Sequence, residues 1–318
     1  MEKIFVTGVD GFVGTYIVKD LIEKGFSISG TAFSFTSNQS FKYLSSIANI
    51  QIIDLLDLNK LSEFIVKENP NAIIHLAAQS SIPHSWKNPT QTFRINVIGT
   101  NNLFKCIEKA NLGEIPILIV GAAAEYGHVK NNGEPIEEND DFCPDNPYAV
   151  SKVAAEMIAY QYHISHNFHT IRVRPFTHIG PGQDERFVCS EFSKTIASIE
   201  KGLLSNTIKV GNLNIKRDFL DVRDVVNAYE LMIRKSDAGE VYNVCSNKGT
   251  SIGEILEILI SYSSAHINVI QDPKKFRENE ANSIVGNNSK LKKDLNWGVN
   301  YKLEETLLDM LNHWRNIV

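Results

Sequence analysis

The chain has 318 residues, more than one domain usually contains, so two domains that share an interface are expected. Hydrophobic residues make up 43% and charged residues 22%, and the formal net charge is -5 at pH 7. This composition is typical of a water-soluble globular protein. It argues against a disordered chain and against binding to nucleic acid or to an acidic membrane surface.

Cysteine spacing and the start of the chain indicate the cellular compartment. The four cysteines are Cys106, Cys143, Cys189 and Cys245. They lie far apart, with no Cys-x-x-Cys pair, and the nine histidines have no ligand spacing, so free thiols and no metal site are expected. Residues 1–6 already have a strand pattern, and no apolar run approaches about 20 residues. We therefore expect a cytoplasmic protein without a leader or a membrane span.

In the first half of the chain, short apolar runs alternate with amphipathic stretches. The predicted pairs of strand and helix are 4–7 with 15–24, 50–54 with 58–66, 73–77 with 92–110, and 117–120 with 148–166. Such alternation is typical of a parallel sheet with helices on both faces. We predict an α/β fold of the Rossmann type, a doubly wound parallel sheet, over residues 1–175.

Beyond residue 175 the alternation becomes irregular. A Gly-Pro-Gly turn at 180–182 precedes predicted helices at 188–201 and 303–317. We predict a smaller, mixed α/β C-terminal domain over 176–318 that binds the substrate. A further helix and strand, predicted within 222–245, return to the first sheet, so the boundary between the domains is not a single cut.

A glycine-rich loop follows the first predicted strand and opens the first predicted helix. Gly8, Gly11 and Gly14 are spaced Gly-x-x-Gly-x-x-Gly, with Phe12 and Val13 at the helix start. Glycine lets the backbone turn tightly and approach a pyrophosphate, while free N–H groups at the helix start face its negative charge. The loop therefore predicts a dinucleotide site.

Two later strand ends add to this prediction. Asp54 and Leu55 follow the predicted strand at 50–54, where a carboxylate can accept a hydrogen bond from an adenine amino group. After the next strand, small side chains let the backbone pass close to the cofactor. These residues are Leu76, Ala77 and Ala78.

The second strand bears on the choice between the two dinucleotides. It ends at residues 30–34, where Thr31 is expected to line the cofactor, and it carries no acid to bind the ribose hydroxyls of NAD. The sequence therefore favours NADP(H). NAD(H) stays open, because the arginine expected beside a 2′-phosphate is also missing.

Tyr148 and Lys152 form the candidate catalytic pair. They are four residues apart, hence neighbours on one face of a helix. A positive charge beside a phenol stabilises the phenolate and lowers the pKa of the tyrosine from its usual value near 10 toward working pH. The pair suits proton transfer at a carbonyl oxygen.

With these motifs the chain resembles the extended short-chain dehydrogenase/reductases over nearly its whole length. The matching stretches are Thr-Gly-x-x-Gly-x-x-Gly at 7–14, His-Leu-Ala-Ala at 75–78, Tyr-Gly at 126–127, Asn-Pro-Tyr-x-x-x-Lys at 146–152, Arg-Pro-Phe at 174–176 and Arg-Asp-Phe at 217–219. The resemblance implies an NAD(P)-dependent oxidoreductase in which Tyr148 and Lys152 also hold the cofactor ribose. Pro175 and His178 are expected beside the cofactor.

Within that family the chain is most similar to reductases of GDP-linked 4-keto-6-deoxymannose. The stretches concerned are 80–86, 178–183, 208–213, 217–224 and 241–246. The resemblance places the sugar near Ser80, Ser81, Thr177 and Lys209, although those reductases carry Asn where this chain has Thr177. The candidates for the nucleotide diphosphate are Arg217 and Arg277, because a guanidinium matches phosphate oxygens in a bidentate way.

The segment 121–126 separates reductases from dehydratases. By similarity, a dehydratase needs a carboxylate two positions before the Tyr-Gly pair, where this chain has Ala124, with Glu125 one position later. Dehydratase chemistry is therefore disfavoured. An epimerase-reductase of the fucose-synthase type needs a cysteine and a histidine; His178 is available, but no cysteine lies near 122–125.

The same segment departs from the family at Ala122. The family carries Ser or Thr there, and its hydroxyl hydrogen-bonds the reacting carbonyl oxygen. Loss of one such donor costs about 2.7–4 kcal/mol of transition-state stabilisation. Three explanations stay open: Ser80, Ser81 or a water replaces the hydroxyl; the chain has become a binding protein; or the alanine was engineered to trap a substrate.

The leading hypothesis is an NAD(P)H-dependent reductase of the C4 ketone of a nucleotide-linked 4-keto-6-deoxy sugar, serving the synthesis of surface-polysaccharide sugars. The alternatives are a C4 epimerase or 4,6-dehydratase with bound NAD(P), and a catalytically weakened nucleotide-sugar binding protein. Helices 92–110 and 148–166 carry apolar residues on more than one face. Burial within the monomer explains the same pattern, but such helices form a four-helix dimer interface in this family, and we expect a homodimer.

Overall fold

A computed structural model describes residues 2–34, 39–128, 134–276 and 281–318. Arg277, predicted to bind the diphosphate, lies outside these residues. The elements up to residue 175 are β1 Lys3–Thr7, α1 Phe12–Glu23, β2 Ser27–Ala32, α2 Gln39–Ile47, β3 Asn49–Ile52, α3 Leu58–Glu68, β4 Ala72–His75, α4 Ile82–Lys87, α5 Pro89–Phe93, a π-helical turn Arg94–Ile98, α6 Gly99–Lys109, β5 Ile117–Val120, a 3₁₀ turn Ala123–Glu125, α7 Pro147–His166 and β6 Thr170–Pro175.

In the described part of the second half of the chain, mostly short strands lie among five helices. Its elements are β7 Thr177–Ile179, α8 Val188–Glu200, β8 Thr207–Val210, β9 Lys216–Asp221, α9 Val222–Lys235, β10 Val241–Val244, β11 Gly249–Ser251, α10 Ile252–Ser261, β12 Asn268–Gln271, a 3₁₀ turn Pro273–Lys275, β13 Ser283–Ile284, α11 Ser289–Leu295 and α12 Leu303–Ile317.

A parallel sheet of seven strands organises the fold, in the order β3-β2-β1-β4-β5-β6-β10. The chain moves outward from β1 to β3 and then returns to β4 on the other side of β1. Ligands bind in the crevice at the carboxyl ends of the strands where the order reverses in this way. The predicted doubly wound Rossmann sheet is confirmed, and its crevice lies at the ends of β1 and β4.

Alternating side chains bury both faces of the sheet. In β1, Ile4 and Val6 join a core cluster with α1 and α9, whereas Phe5 joins a cluster with α3, α6 and α7 on the other face. Successive residues of a strand point to opposite faces, so a parallel strand covered by helices must be apolar throughout. This explains the continuous apolar runs in the sequence.

Strand β9 is the centre of the smaller sheet. Its first half pairs with β11 and β13 and its second half pairs with β7. Helices α8, α10 and α12 form a separate core cluster beside it. The chain then returns to the large sheet, where β10 pairs with β6. A division into domains at residue 175 stays a prediction.

The described part of the chain has neither a membrane-spanning helix nor a cluster of metal ligands. Each helix among these residues is too short or too polar to span a bilayer. No group of three His, Cys, Asp or Glu side chains among the same residues is placed to bind a metal ion.

Candidate active site

The glycine loop joins β1 to α1 at the crevice. Gly8 has a φ of +74°, and the N–H groups of Gly8 and Val9 both donate to the Thr31 carbonyl, at 2.8 and 3.1 Å. Helix α1 begins at Phe12, and its N-cap, Gly11, supplies no side-chain hydrogen bond. The N–H groups of the first turn are therefore free of side-chain caps and face the crevice, as anion binding requires.

Close backbone packing explains why this loop needs glycine. A Cβ on Gly8 would lie 2.9 Å from the Cα of Ala77, and a Cβ on Gly14 would lie 2.2 Å from the Gly8 carbonyl oxygen. Ala77 and Ala78 keep the neighbouring strand end small. The glycines thus leave the backbone open at the start of α1, and binding of a dinucleotide pyrophosphate there stays a prediction.

Replacing Gly8 with alanine is expected to weaken dinucleotide binding by about tenfold or more, because alanine disfavours positive φ and its Cβ meets the backbone of Ala77. The matched control is Gly25→Ala, since Gly25 also has a positive φ but faces open space. Titration of nicotinamide fluorescence measures both variants. Equal affinities for the two variants would contradict the proposed pyrophosphate site.

A cavity of about 610 Å³ lies beside the ends of β2 and β3, where the adenine is expected. Asp54, exposed after β3, lines it together with Phe33 and Leu56, while Leu55 is buried behind it. The exposed cations Lys87 and Arg94 also line this cavity. Neither cation was predicted from the sequence, because both follow β4, whereas the arginine expected beside a 2′-phosphate follows β2.

His75, at the end of β4, belongs to a buried network under the cofactor loop. Its Nδ1 lies 2.7 Å from Thr7 Oγ1 and its Nε2 lies 3.0 Å from Thr100 Oγ1. Because the Thr100 hydroxyl donates to the Asn96 carbonyl, it accepts from His75, so the ring carries its proton on Nε2. Burial, followed by the charge of Lys152, lowers the pKa of His75 to about 3.

This depressed pKa predicts acid lability. The unfolded chain binds a proton at His75 near pH 6.5, whereas the folded chain does so only near pH 3. The stability that is present above pH 6.5 is therefore lost as the pH falls, by roughly 1.4 kcal/mol per pH unit. Urea unfolding should show about 2 kcal/mol less stability at pH 5 than at pH 7 from this group. His75→Gln should flatten that slope, and an unchanged slope would count against the assignment.

A π-helical turn at Arg94–Ile98 brings a further buried amide into the crevice wall. Asn96 accepts from the Gln79 N–H at 2.8 Å and donates to the Gln79 carbonyl and to Ser151 Oγ, at 3.0 and 2.9 Å. These bonds tie the segment after β4 to α7. Sequence reasoning missed Asn96; π turns are frequent at functional sites, but only the structure shows this one.

Tyr148 and Lys152 lie in the first turns of α7, where Asn146 caps the helix by accepting from the Ala149 N–H at 2.9 Å. Lys152 is 6% exposed, and its Nζ donates to the carbonyl of Val120, the last residue of β5. The pair therefore lies at the carboxyl end of β5, on the same edge of the sheet as the glycine loop.

The structure reverses the expected direction of the Tyr148 pKa. Burial, followed by the charge of Glu125, raises the pKa of Tyr148 above its usual value of 10, and burial lowers the pKa of Lys152 to about 8. The prediction that the tyrosine pKa is lowered is wrong for the chain by itself, because burial of the phenol and the charge of Glu125 both act in the opposite direction. Tyr148 therefore holds its proton at neutral pH.

Glu125 is fully buried in the turn after β5. Its Oε1 accepts from the Ala122 N–H at 2.6 Å, and its Oε2 has no hydrogen-bond partner in the described structure. Gly121 makes room for it, since a Cβ there would lie 2.4 Å from Oε1. Glu125 is therefore enclosed in the turn, shielded from solvent, and its charge acts on Tyr148 and Lys152.

A buried charge network surrounds this carboxyl. Arg174 donates to Glu156 from Nε and Nη2, at 2.9 and 2.6 Å, and its Nη1 donates to Tyr126 Oη at 2.7 Å. Burial, followed by the charge of Glu156, raises the pKa of Glu125 well above its usual range. Burial acts in the same direction on Glu156, but the hydrogen bond from Arg174 outweighs it and lowers that pKa.

A second segment covers the start of α1. The ring of His178 is stacked over Phe12, with 6.3 Å between centroids, and its Nδ1 lies 3.0 Å from the Phe176 carbonyl. Tyr16 Oη donates to the Pro181 carbonyl at 2.7 Å. His178, the middle residue of β7, therefore lies beside the glycine loop, shortly after buried Pro175.

The predicted substrate residues lie on separate elements. Ser80 is exposed, and Ser81 Oγ accepts from the His84 N–H at 3.2 Å as the cap of α4. Thr177 pairs with Phe219 across β7 and β9. Lys209 is exposed on β8, and Arg217 on β9 donates to the carbonyls of 216 and 281, at 2.8 and 2.9 Å. Binding of a sugar nucleotide by these side chains stays a prediction.

The chain is similar to known proteins over nearly its whole length. The family model described as GDP-mannose 4,6 dehydratase matches residues 5–310. The chain is 33% identical over 317 residues to GDP-6-deoxy-D-mannose reductase of Pseudomonas aeruginosa, covering 100% of this chain and 98% of the relative. It is 26% identical over 350 residues to GDP-mannose 4,6-dehydratase of Yersinia enterocolitica, covering 98% and 93%.

Solved structures extend this comparison to the fold. The structure of RMD from Pseudomonas aeruginosa complexed with NADPH superposes with a TM-score of 0.88 at 32% identity, covering 100% of both chains. That of UDP-glucose 4-epimerase from Thermus thermophilus in complex with NAD has a TM-score of 0.88 at 25% identity, covering 99% of this chain and 100% of that one. The resemblance found in the sequence is confirmed: the chain belongs to the GDP-mannose 4,6-dehydratase family of the extended short-chain dehydrogenase/reductases.

Proposed function

We propose that the chain is an NAD(P)H-dependent 4-ketoreductase of a GDP-linked 4-keto-6-deoxy sugar, of the GDP-4-keto-6-deoxymannose type. The burial of Glu125 carries the proposal. A dehydratase needs a carboxylate at the sugar in this turn, but Ala124 supplies none and Glu125 is fully buried against the Ala122 N–H. The full-length similarity to a GDP-6-deoxy-D-mannose reductase supports the same activity.

The crevice supplies what such a reduction requires. A nicotinamide dinucleotide held by the glycine loop would supply the hydride for C4 of the ketone. Tyr148 Oη holds the proton and gives it to the C4 oxygen, so the carbonyl becomes an alcohol. The raised pKa of Tyr148 keeps that proton in place until the transfer. Lys152 stands beside the tyrosine on α7, and its positive charge stabilises the phenolate that forms.

Binding of both ligands is divided between the two halves of the chain. The N–H groups at the start of α1 bind the pyrophosphate of the cofactor, and Asp54 accepts from its adenine. Arg217 and Lys209 bind the diphosphate of the sugar nucleotide, because both are cations in the second half of the chain, where the substrate domain is predicted.

The direct test is incubation of the purified chain with NADPH, or NADH, and GDP-4-keto-6-deoxymannose. We expect a loss of nicotinamide absorbance and, by mass spectrometry, a sugar nucleotide that has gained two hydrogens. Absence of turnover with either cofactor, both in the chain itself and in Ala122→Ser, would contradict the proposal.

Ala122 favours a second candidate, a catalytically silent protein that binds nucleotide sugars. Ala122 is buried at the end of β5 and offers no hydroxyl to the substrate. Such a protein would bind the sugar nucleotide yet gain no turnover when a serine is placed at position 122. The same variant therefore separates the two candidates.

We also propose a homodimer formed through α7 and the helical segment before α6. Tyr160 and Ile164 are 44% and 63% exposed, one turn apart on α7, and Ile98 is 48% exposed. A row of large apolar side chains on one helical face is typical of an interface. Ile164→Glu should shift the sedimentation coefficient to that of a monomer, whereas Val66→Glu on α3 should not. A dimer that persists in Ile164→Glu would contradict this interface.

We propose the cytoplasm as its compartment. The four cysteines are all free, and three of them are buried. Free thiols are typical of proteins in a reducing compartment. Detection of the chain in a periplasmic or culture-medium fraction after cell fractionation would contradict this assignment.

A further inference from the structure

Asp10 places a carboxylate where the glycine loop meets the end of β2. The loop is bonded to that strand, since the Gly8 and Val9 N–H groups donate to the Thr31 carbonyl at 2.8 and 3.1 Å. Asp10 is partly buried there, next to Phe33, the first residue after β2. Burial raises its pKa, while the N–H groups of Asp10 and Phe33 act in the opposite direction. These backbone N–H groups favour the charged form of the Asp10 carboxyl.

The adenosine ribose of a dinucleotide lies at this junction in a Rossmann site. An acid at the end of the second strand accepts from the ribose 2′-hydroxyl, whereas a 2′-phosphate requires a cation nearby. Residues 30–34 carry no acid. Asp10 lies at the same strand end but belongs to the glycine loop, so the loop supplies a carboxylate that the strand lacks.

We propose that Asp10 discriminates between the two dinucleotides at the 2′ position of the adenosine ribose. Its carboxylate accepts a hydrogen bond from a free 2′-hydroxyl and lowers the affinity for a 2′-phosphate. This inference rests on the proposed function, because it requires that the crevice holds a nicotinamide dinucleotide. It makes Asp10 a residue that sets the ratio of the affinities for NADH and NADPH.

The charges around this junction predict the direction in which the ratio of the two affinities changes when Asp10 is replaced. Two cations, Lys87 and Arg94, line the cavity that Phe33 and Asp54 share. When the charge of Asp10 is removed, the remaining field beside the ribose is more positive, which favours the phosphate. The effect is expected to shrink as salt increases, since these groups are accessible to ions.

The test is titration of nicotinamide fluorescence with NADH and with NADPH, without any sugar nucleotide. Asp10→Asn keeps the shape and removes the charge, and it should shift the affinity ratio toward NADPH by about tenfold or more at low salt. Asp10→Ser is the second variant if the first does not fold. The matched control is Asp20→Asn, because Asp20 lies in α1 and pairs with Lys24 at 2.9 Å.

The outcomes separate this inference from the proposed function. A ratio that changes by less than about threefold in both Asp10 variants, or that changes equally in Asp20→Asn, overturns the role of Asp10 alone. Binding of neither dinucleotide to the folded chain overturns the proposed function and this inference together. A shift toward NADPH that is confined to the Asp10 variants supports it.

Discussion

Ala122→Ser is expected to raise the rate of ketone reduction about a hundredfold or more, because it restores a hydroxyl donor to the developing C4 oxyanion. Ala122 follows the end of β5 by two residues and is 8% exposed, so a serine there adds a single oxygen without a large change in packing. The gain should be in kcat and not in the affinity for the dinucleotide, since the donor acts in the transition state. Steady-state kinetics with the GDP-keto sugar measure this gain.

The neighbouring alanine provides the control. Ala123 is also 8% exposed and lies in the same turn, so Ala123→Ser adds the same oxygen one residue away from the expected place. We expect its rate to stay within about threefold of that of the parent chain. Equal rates in both serine variants would mean that another donor already occupies the oxyanion position.

Tyr148→Phe is expected to reduce the rate of reduction by roughly 10²–10⁴-fold, because phenylalanine keeps the ring and removes the proton donor. Dinucleotide affinity should change far less, since the substitution leaves the glycine loop, the proposed pyrophosphate site, unchanged. Single-turnover absorbance and fluorescence titration measure the two quantities separately.

Tyr160→Phe is the matched control on the same helix. Tyr160 is 44% exposed and contacts the guanidinium of Arg172 through its ring, 4.9 Å from the centroid, which phenylalanine retains. Its rate should equal that of the parent chain. A Tyr148→Phe variant that keeps more than about a tenth of the parent rate would remove this tyrosine from the proposed chemistry.

Much of the fold could be predicted because it depends on local periodicity. Strands such as Ile117–Val120 are apolar throughout. The pair Asn146-Pro147 marks the start of α7 in the sequence, and an Asn in the left-handed region ends the helix. The glycine loop was predictable for a related reason, since its spacing reflects backbone contacts that only glycine permits.

The remainder of the site depends on contacts between distant segments. The Glu156–Arg174 pair joins a helix to a strand, and the His75–Thr100 bond joins a strand to a helix. Nothing in the local sequence marks these partners. The direction of the Tyr148 pKa was missed for the same reason, because burial outweighs a neighbouring charge and burial is a property of the assembled crevice.

The late return of the chain to the large sheet has a consequence for its synthesis. Besides residues from β1, β4 and α1, the core on one face of that sheet includes side chains from α9, from β10 and, as late as Leu295 and Trp297, from the segment that follows. A nascent chain that ends near residue 175 would expose this apolar face, because the helix and strand that cover it have not yet been made. The cofactor site therefore cannot mature on the ribosome ahead of the rest of the protein, and a fragment cut at that point is expected to aggregate.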